Sequence, residues 1–347
     1  MPTAPRHGPA ADGGSVTQEE APSSMLFGLR FDFRNPDFAR TTMAERYAAA
    51  LDMAQWADSL GCVNIAVSEH HGSPDGYLPS PIPMLAAMAA RTTNVRFLVA
   101  ALIAPFHDPL RLAEEMVVLD HLSSGRVDLI VAGGYVHEEF AMFDVPMSER
   151  GKRVTETVAT LKAAFTGRPF TYRGRTVHVT PAPFRPGGPA ISLGGSSEAA
   201  ARRAARIADG FVPSVPEVWE FYRSEVRALQ RPDPGPSPIG ENRVVALAED
   251  PEKGWEQMAP YFLHETNAYG LWQAQDDVAS PFRTVRDVDE LRAIGQYRVI
   301  TPEQFVEEQK AASFTFALFH PLCGGMPVEL AWSSLHLFER DVLPAFG

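Results

Sequence analysis

Cysteine is scarce in this chain, since Cys62 and Cys323 are the only two among 347 residues. Two cysteines cannot build a disulfide framework, and their scarcity fits a reduced, cytoplasmic protein. Basic residues are also in deficit, because 43 Asp and Glu against 31 Lys and Arg give a formal net charge of -12. No run of Lys or Arg is present that could neutralise a phosphate backbone, which argues against nucleic acid as a partner.

Long apolar runs are missing as well. No stretch approaches the roughly 18 uninterrupted apolar residues of a membrane-spanning helix, so we expect no membrane partner. Residues 1–24 are proline, glycine, alanine and polar residues without the apolar centre of a signal peptide. We therefore predict a disordered tail over residues 1–24 and a single folded domain over residues 25–347.

One strand-helix-strand unit is plainly visible between residues 91 and 134. Residues 96–103 are almost wholly apolar, which is typical of a parallel strand covered on both faces. Apolar residues then recur at helical spacing from Leu112 to Leu119, and Gly125 ends the helix. Residues 127–132 return as a second buried strand, so a right-handed crossover is expected.

Strand and helix patterns alternate in the same way through the rest of the chain. This alternation predicts an α/β fold, a single (β/α)8 TIM barrel rather than two doubly wound halves. Residues 170–180 alternate around Arg173-Gly174 and predict an inserted surface hairpin. The segment from His264 to Ile300 is aromatic but not periodic, which predicts a long active-site lid before the last helix-strand unit. The eight predicted barrel strands are residues 25–33, 63–67, 96–103, 127–132, 189–193, 211–212, 244–248 and 314–319.

Candidate functional residues follow the predicted strands. In a barrel the functional loops lie at the carboxyl ends of the strands, so these loops are expected to meet at one face. The candidates are Glu69, His70 and His71 after the second strand, His107 after the third, Gly133 and Gly134 after the fourth, Gly194, Gly195, Ser196 and Ser197 after the fifth, and His320 and Cys323 after the eighth.

The histidines raise the question of a metal site. His70 and His71 are adjacent, and adjacent residues at a strand end point to opposite sides. The spacing of the other candidates is not that of a ligand set either, so we predict no metal. Either histidine could equally be a packed, hydrogen-bonded structural residue.

The sequence GGSSEAA at residues 194–200 predicts a phosphate-binding loop. Glycines at a strand end followed by hydroxyls at a helix start expose free backbone N–H groups at the positive end of the helix dipole. Ser196 or Ser197 could also cap the helix, and the two roles can coexist.

Three motifs together resemble one known family. They are SEHHG at residues 68–72, VAALIAP with the following HDPLRLAEEMVVLDHLSSGRVDL at residues 99–129, and GGSSEAAARRAARIADG at residues 194–210. On these motifs the chain resembles the bacterial luciferase-like monooxygenases, which are flavin-dependent (β/α)8 barrels, over nearly its full length after the tail.

The resemblance implies roles for particular residues. His70 matches the catalytic histidine, implied to act near the flavin C4a position by stabilising or protonating an oxygen adduct, in a Glu-His-His loop with Glu69 and His71. The other implied positions are Ala100 and Ala101, a pair joined by a non-prolyl cis peptide against the isoalloxazine ring, and Ser196 with Ser197 beside it at the phosphate.

One position departs from the family pattern. Where luciferases carry an arginine at the end of the fourth strand, this chain has Gly133. The resemblance therefore does not extend to that flavin contact, to light emission or to oxidation of long-chain aldehydes. With Gly134 and the two alanines, Gly133 would instead let a flat ring lie against the barrel mouth.

The resemblance implies a monooxygenase that uses reduced FMN and O2 on a small organic substrate. It also implies a separate NAD(P)H-dependent flavin reductase as supplier, and a homodimer. Two alternatives stay open: a deazaflavin (coenzyme F-420) oxidoreductase that transfers hydride, and a non-catalytic flavin-binding protein. The residues expected beside the substrate or in the lid are His107, Tyr269, Trp272, Tyr297, His320 and Cys323.

Overall fold

The structure is a computed structural model that describes residues 25–237, 243–275, 280, 282–312 and 316–347. The predicted tail and the first two residues of the predicted eighth strand lie outside the described residues. The strands are β1 (Leu26–Phe31), β2 (Asn64–Val67), β3 (Arg96–Ile103), β4 (Val127–Ala132), β5 (Phe170–Tyr172), β6 (Arg175–Val177), β7 (Ile191–Gly195), β8 (Gly210–Pro213), β9 (Val244–Leu247), β10 (Tyr297–Ile300) and β11 (Phe316–Phe319). The helices are α1 (Met43–Ser59), α2 (Pro81–Ala89), α3 (Pro109–Leu122), α4 (His137–Met142), α5 (Arg150–Ala164), α6 (Glu198–Ile207), α7 (Trp219–Ala228), α8 (Pro251–Gln273), α9 (Val288–Ile294), α10 (Pro302–Ala311) and α11 (Val328–Leu337).

Nine of the described strands form one sheet in the order β10-β9-β11-β1-β2-β3-β4-β7-β8, and every pair in it is parallel. The predicted α/β class is confirmed, and both halves of the chain share one continuous sheet. Over the described ranges, no ladder joins the end strands β10 and β8. Because the strands are parallel, their carboxyl ends lie at one edge, where the loops that follow them meet.

The β3-α3-β4 unit matches its prediction closely, since both strands have the predicted bounds. Helix α3 begins at Pro109 because the Asp108 side chain accepts hydrogen bonds from the first-turn N–H groups of Leu110 and Arg111 at 3.0 and 3.1 Å. Its buried face is the predicted one, made by Leu112, Ala113, Met116, Val117 and Leu119. This apolar stripe holds the helix on the sheet and fixes the ends of β3 and β4.

The predicted hairpin is confirmed. Strands β5 and β6 pair antiparallel, with Tyr172 opposite Arg175. The two turn residues, Arg173 and Gly174, have φ values of 46° and 76°. Two successive positive φ values are typical of the two-residue turn that matches strand twist.

The predicted irregular lid from His264 to Ile300 is wrong. Most of this segment is regular: it contains the second half of α8, then α9 and β10, while residues 276–279 and 281 lie outside the described residues. The helical period was hidden because two buried positions of α8 carry the polar residues Glu265 and Thr266. Strand β10, a ninth strand of the sheet, lies in the same segment and was not predicted either.

Apolar helix faces cover the sheet. In α1, for example, Ala50, Met53, Ala54 and Ala57 are fully buried. None of the helices in the described part of the chain combines the length and apolar character that a membrane span requires.

Candidate active site

A cavity of about 860 Å³ lies at the carboxyl ends of the strands. It is bordered by the ends of β1, β2, β3, β4, β7 and β8 and by one side of α8. The residues that were expected to hold a cofactor all line it: Ala100, Ala101, Gly133, Gly134, Gly194, Gly195, Ser196 and Ser197. Glu69, His70 and Tyr269 line it as well.

One wall of the cavity is built from very small residues. The peptide bond between Ala100 and Ala101 is cis, as the resemblance implies. Strand β3 pairs with β4 up to Ala100, and the register shifts before pairing resumes at Leu102. Gly133 and Gly134, after β4, continue this wall. With only two methyl groups among four residues, the wall can accept a flat molecule.

The loop after β7 forms one end of the cavity. The Ser197 side chain caps α6 by accepting a hydrogen bond from the Ala200 N–H at 3.3 Å. A Cβ atom on Gly195 would lie 2.5 Å from the Cβ of Ala200, so only glycine allows this close approach of strand and helix. Capping by Ser197 satisfies one first-turn N–H and leaves others for an anion near Ser196.

Two arginines that sequence reasoning missed also lie at this end. Arg150 lines the cavity beside Gly133, where a Cβ atom would lie 3.8 Å from the Arg150 Cγ. Arg203 lines it from α6, and burial lowers the pKa of its guanidinium, with no acidic side chain of the described ranges to offset the burial. The signal for Arg203 was its spacing, because seven residues after Ser196 is about two helical turns.

His70 is held at the cavity by hydrogen bonds on both ring nitrogens. Its Nδ1 lies 2.8 Å from Oε1 of the buried Glu139, and its Nε2 lies 3.2 Å from the Tyr135 hydroxyl. The same Glu139 oxygen accepts the backbone N–H of His71 at 2.8 Å. Burial raises the pKa of Tyr135, so its phenol stays protonated and can donate to Nε2. In this arrangement Nδ1 donates to Glu139, and Nε2 is the atom that can take up a proton from the cavity.

Glu69 joins two neighbouring strand ends. Its Oε1 accepts hydrogen bonds from Nε2 of His71 and of His107 at 2.9 and 2.8 Å, and its Oε2 accepts the Ile103 N–H at 2.7 Å. Burial acts to raise the pKa of Glu69, but the bonds from His107 and His71 outweigh it and lower that pKa. Burial acts to lower the pKa of His107, but Glu69 raises it. The rings of His70 and His71 therefore turn to different carboxylates, as their adjacent positions predicted.

Two of the predicted lid aromatics reach the site from α8. The Tyr269 ring lines the cavity, and its hydroxyl lies 2.7 Å from that of Tyr77. The Trp272 indole packs on the His70 imidazole with 4.5 Å between ring centroids and 31° between planes. A helix, and not an irregular loop, thus covers His70.

Tyr297, His320 and Cys323 were expected near the substrate, and that expectation is corrected. All three are buried around Glu265: the Tyr297 hydroxyl and the Cys323 thiol each donate to Oε2 at 2.8 Å, and His320 Nδ1 lies 3.2 Å from Oε1. Burial raises the pKa of Cys323, which keeps the thiol protonated. The side-chain atoms of Glu265, His320 and Cys323 that could bind a metal lie within 4.8 Å of one another. The contacts of His320 and Cys323 with Glu265 account for this closeness. His320 and Cys323 lie in the loop after β11, and both are buried. Their position after a strand therefore does not place their side chains in the cavity.

Comparison with known proteins identifies the family of this chain. Residues 25–314 match the family of luciferase-like monooxygenases. The uncharacterized protein y4wF of Sinorhizobium fredii (strain NBRC 101917 / NGR234) is 26% identical over 341 residues, which are 94% of this chain and 98% of that protein.

Two solved structures share the fold. One is the oxygenating constituent of 3,6-diketocamphane monooxygenase from Pseudomonas putida in complex with FMN, with a TM-score of 0.68, 18% identity and coverage of 92% of this chain and 98% of that one. The other is an F420-dependent secondary alcohol dehydrogenase in complex with an F420-acetone adduct, with a TM-score of 0.65, 16% identity and coverage of 93% and 99%.

The chain belongs to the luciferase-like monooxygenase family. It is accordingly a flavin-dependent oxidoreductase. Its fold is similar to those of the FMN-bound and F420-dependent enzymes described above.

Proposed function

We propose that the protein is a monooxygenase that uses reduced FMN and O2 to oxidise a small organic molecule, with reduced FMN supplied by a separate NAD(P)H-dependent reductase. The observation that carries the proposal is one cavity with three parts: a flat wall at Ala100-Ala101, an anion-binding end at Ser196, and His70 held by hydrogen bonds on both ring nitrogens.

The residues present fit a flavin mononucleotide. Arg203 is a half-buried cation with no acidic partner in the described ranges, at the mouth of a capped helix N-terminus. Such a cation suits a phosphate from outside the chain. Ser196, Ser197 and Arg150 would share the phosphate, and the wall formed by Ala100, Ala101, Gly133 and Gly134 would receive the ring.

Bound reduced FMN supplies the electrons that activate O2. The chain holds and moves a proton at Nε2 of His70, whose ring is oriented by its hydrogen bonds with Glu139 and the Tyr135 hydroxyl. Glu69 and His71 are positioning residues in this proposal, because their mutual bond fixes the loop that carries His70. Packing of Trp272 on His70 limits the access of water to that ring.

Anaerobic titration of the purified protein tests the cofactor. We expect reduced FMN to bind at micromolar concentration or tighter, and O2 consumption to rise when the right substrate is found in a screen. Binding of reduced deazaflavin with no binding of either form of FMN would refute the proposal. A His70→Ala variant with unchanged turnover would remove His70 from the mechanism.

A deazaflavin-dependent hydride transfer is the second candidate. Its support is the structural likeness to the F420-dependent secondary alcohol dehydrogenase, which shares the whole fold. The anaerobic titration separates the two candidates by which reduced cofactor binds. The O2 screen separates them by reaction, because only the monooxygenase consumes O2 with its reduced cofactor.

We also propose a homodimer. Helix α3 exposes Val118 and Leu122, which are 52% and 51% accessible and lie four residues apart on one face. Exposed apolar residues grouped in this way favour a protein contact. Light scattering of the purified chain should give twice the chain mass, and a Val118→Glu/Leu122→Glu variant should give the monomer mass.

A further inference from the structure

Arg30 lies in the cavity at a position remote from the phosphate loop. It projects from β1, lines the cavity, and its side chain is 16% accessible. In the sheet, β1 and β7 are separated by β2, β3 and β4, so four strand spacings lie between Arg30 and the loop that begins with Ser196. At about 4.8 Å per spacing this is about 19 Å along the curved sheet. The position of Arg30 is therefore distinct from the end of the cavity at the phosphate loop.

The guanidinium of Arg30 is fixed on one side only. Its Nη2 donates to Oε1 of Glu265 at 2.8 Å and to the Tyr269 hydroxyl at 3.2 Å. Within the described ranges, its Nε and Nη1 have no hydrogen-bond partner, and neither atom is sealed inside the protein. The other nearby carboxylate, Asp32, is directed to Arg34 and His320, at 3.6 and 3.5 Å. Arg30 is thus a positioned cation with donors left for a bound molecule.

The walls next to Arg30 are aromatic. Tyr77, Tyr135, Tyr269 and Phe282 all line the same cavity, and the Arg30 guanidinium carbon lies 5.9 Å from the centre of the Tyr269 ring. Aromatic walls favour a planar, unsaturated molecule, and a fixed guanidinium favours an anionic oxygen on it.

We propose that the substrate is a planar, unsaturated organic acid, whose carboxylate or phenolate oxygen accepts a hydrogen bond from Nη1 or from Nε of Arg30, the donors that Glu265 and Tyr269 leave free. This inference rests on the proposed function, because it places the substrate in the part of the cavity that the phosphate loop does not occupy. Arg30 is a specificity-determining residue in this account, and the acid group would hold the planar body of the substrate beside His70.

Calorimetric titration of the full-length, FMN-saturated protein with benzoate and with its neutral analogue benzamide tests the proposal. A charge-assisted hydrogen bond should make benzoate bind at least about tenfold more tightly than benzamide. Arg30→Met should remove this difference while the Kd for FMN stays within about twofold, because the phosphate end is remote. Arg111→Met, at a surface arginine paired with Glu114 and Glu115, is the matched control and should keep the difference.

A second variant protects the test against misfolding, because Arg30→Met removes the arginine partner of the buried Glu265. The double variant Arg30→Met/Glu265→Gln removes the carboxylate charge as well and should also bind the two probes equally. Equal binding of benzoate and benzamide by the wild-type protein, or a benzoate preference that survives in the double variant, would overturn the proposal. Failure of the protein to bind FMN, with the Arg30-dependent preference for benzoate intact, would instead refute the flavin assignment and support the acid site.

Discussion

Replacing Arg203 with methionine should weaken FMN binding without weakening riboflavin binding. Arg203 lies on α6, at the end of the cavity where Ser196 and the helix N-terminus offer donors to an anion. Riboflavin has the same ring as FMN but lacks the phosphate, so it reports the ring site alone. A charge-assisted hydrogen bond contributes about 1.5 to 3 kcal/mol, which corresponds to about a tenfold to hundredfold loss of FMN affinity.

The same substitution should leave stability almost unchanged. Burial lowers the pKa of Arg203, and no carboxylate of the described ranges offsets this cost, so removing the charge relieves a small destabilisation. We expect the free energy of unfolding to change by less than about 0.5 kcal/mol. Affinity is measured by the quenching of flavin fluorescence, and stability by urea unfolding.

The neighbouring arginine supplies the matched control. Arg202 points away from the cavity and pairs with Glu198 and Glu225 at 2.7 and 2.8 Å. Arg202→Met should therefore leave the affinities for both flavins unchanged. The reasoning is refuted if Arg203→Met keeps FMN affinity within about twofold of wild type, or if it weakens FMN and riboflavin equally.

Three further predictions concern the histidine loops and a buried thiol. Glu139→Gln should lower kcat by about tenfold or more with little change in KM, because it weakens the support for proton transfer at His70; an equal rise in KM would contradict a positioning role. His107→Gln should destabilise the protein most between pH 4.5 and 6.5, the ordinary pKa values of glutamate and histidine. The stability that comes from the raised pKa of His107 is lost as the pH rises through that pKa. The stability that comes from the lowered pKa of Glu69 is lost as the pH falls through the Glu69 pKa. Urea unfolding of wild type and variant across pH checks this, and a difference independent of pH would contradict it. Cys323 should resist iodoacetamide in the folded protein and react after unfolding, because burial raises its thiol pKa; mass spectrometry that finds rapid native labelling would show the placement to be wrong.

The parts of the fold that sequence predicted well are those with a regular apolar period. Strands β3 and β4 have their predicted bounds because their burial depends on short continuous apolar runs. The second half of α8 was missed because the polar residues Glu265 and Thr266 occupy buried positions, where the period requires apolar ones. A helix whose buried face carries a charge network cannot be recognised from apolar spacing alone.

The candidate site likewise contains residues that the sequence could place and residues that it could not. Residues that directly follow a strand, such as His70 and Ser196, could be placed because strand ends share one edge of the sheet. Arg150, Arg203 and Glu139 come from helices. Only tertiary packing brings the two arginines to the cavity and Glu139 to His70. For Arg203 the spacing from Ser196 was a usable signal, but Arg150 and Glu139 have no such reference point in the sequence.

A crystal structure of the FMN complex would show whether the cavity is the flavin site. We predict that the phosphate contacts Ser196 and Arg203, and that the ring lies against the Ala100-Ala101 peptide with its reactive edge facing His70. FMN bound outside this cavity, or bound in it with the phosphate away from Arg203, would contradict the account.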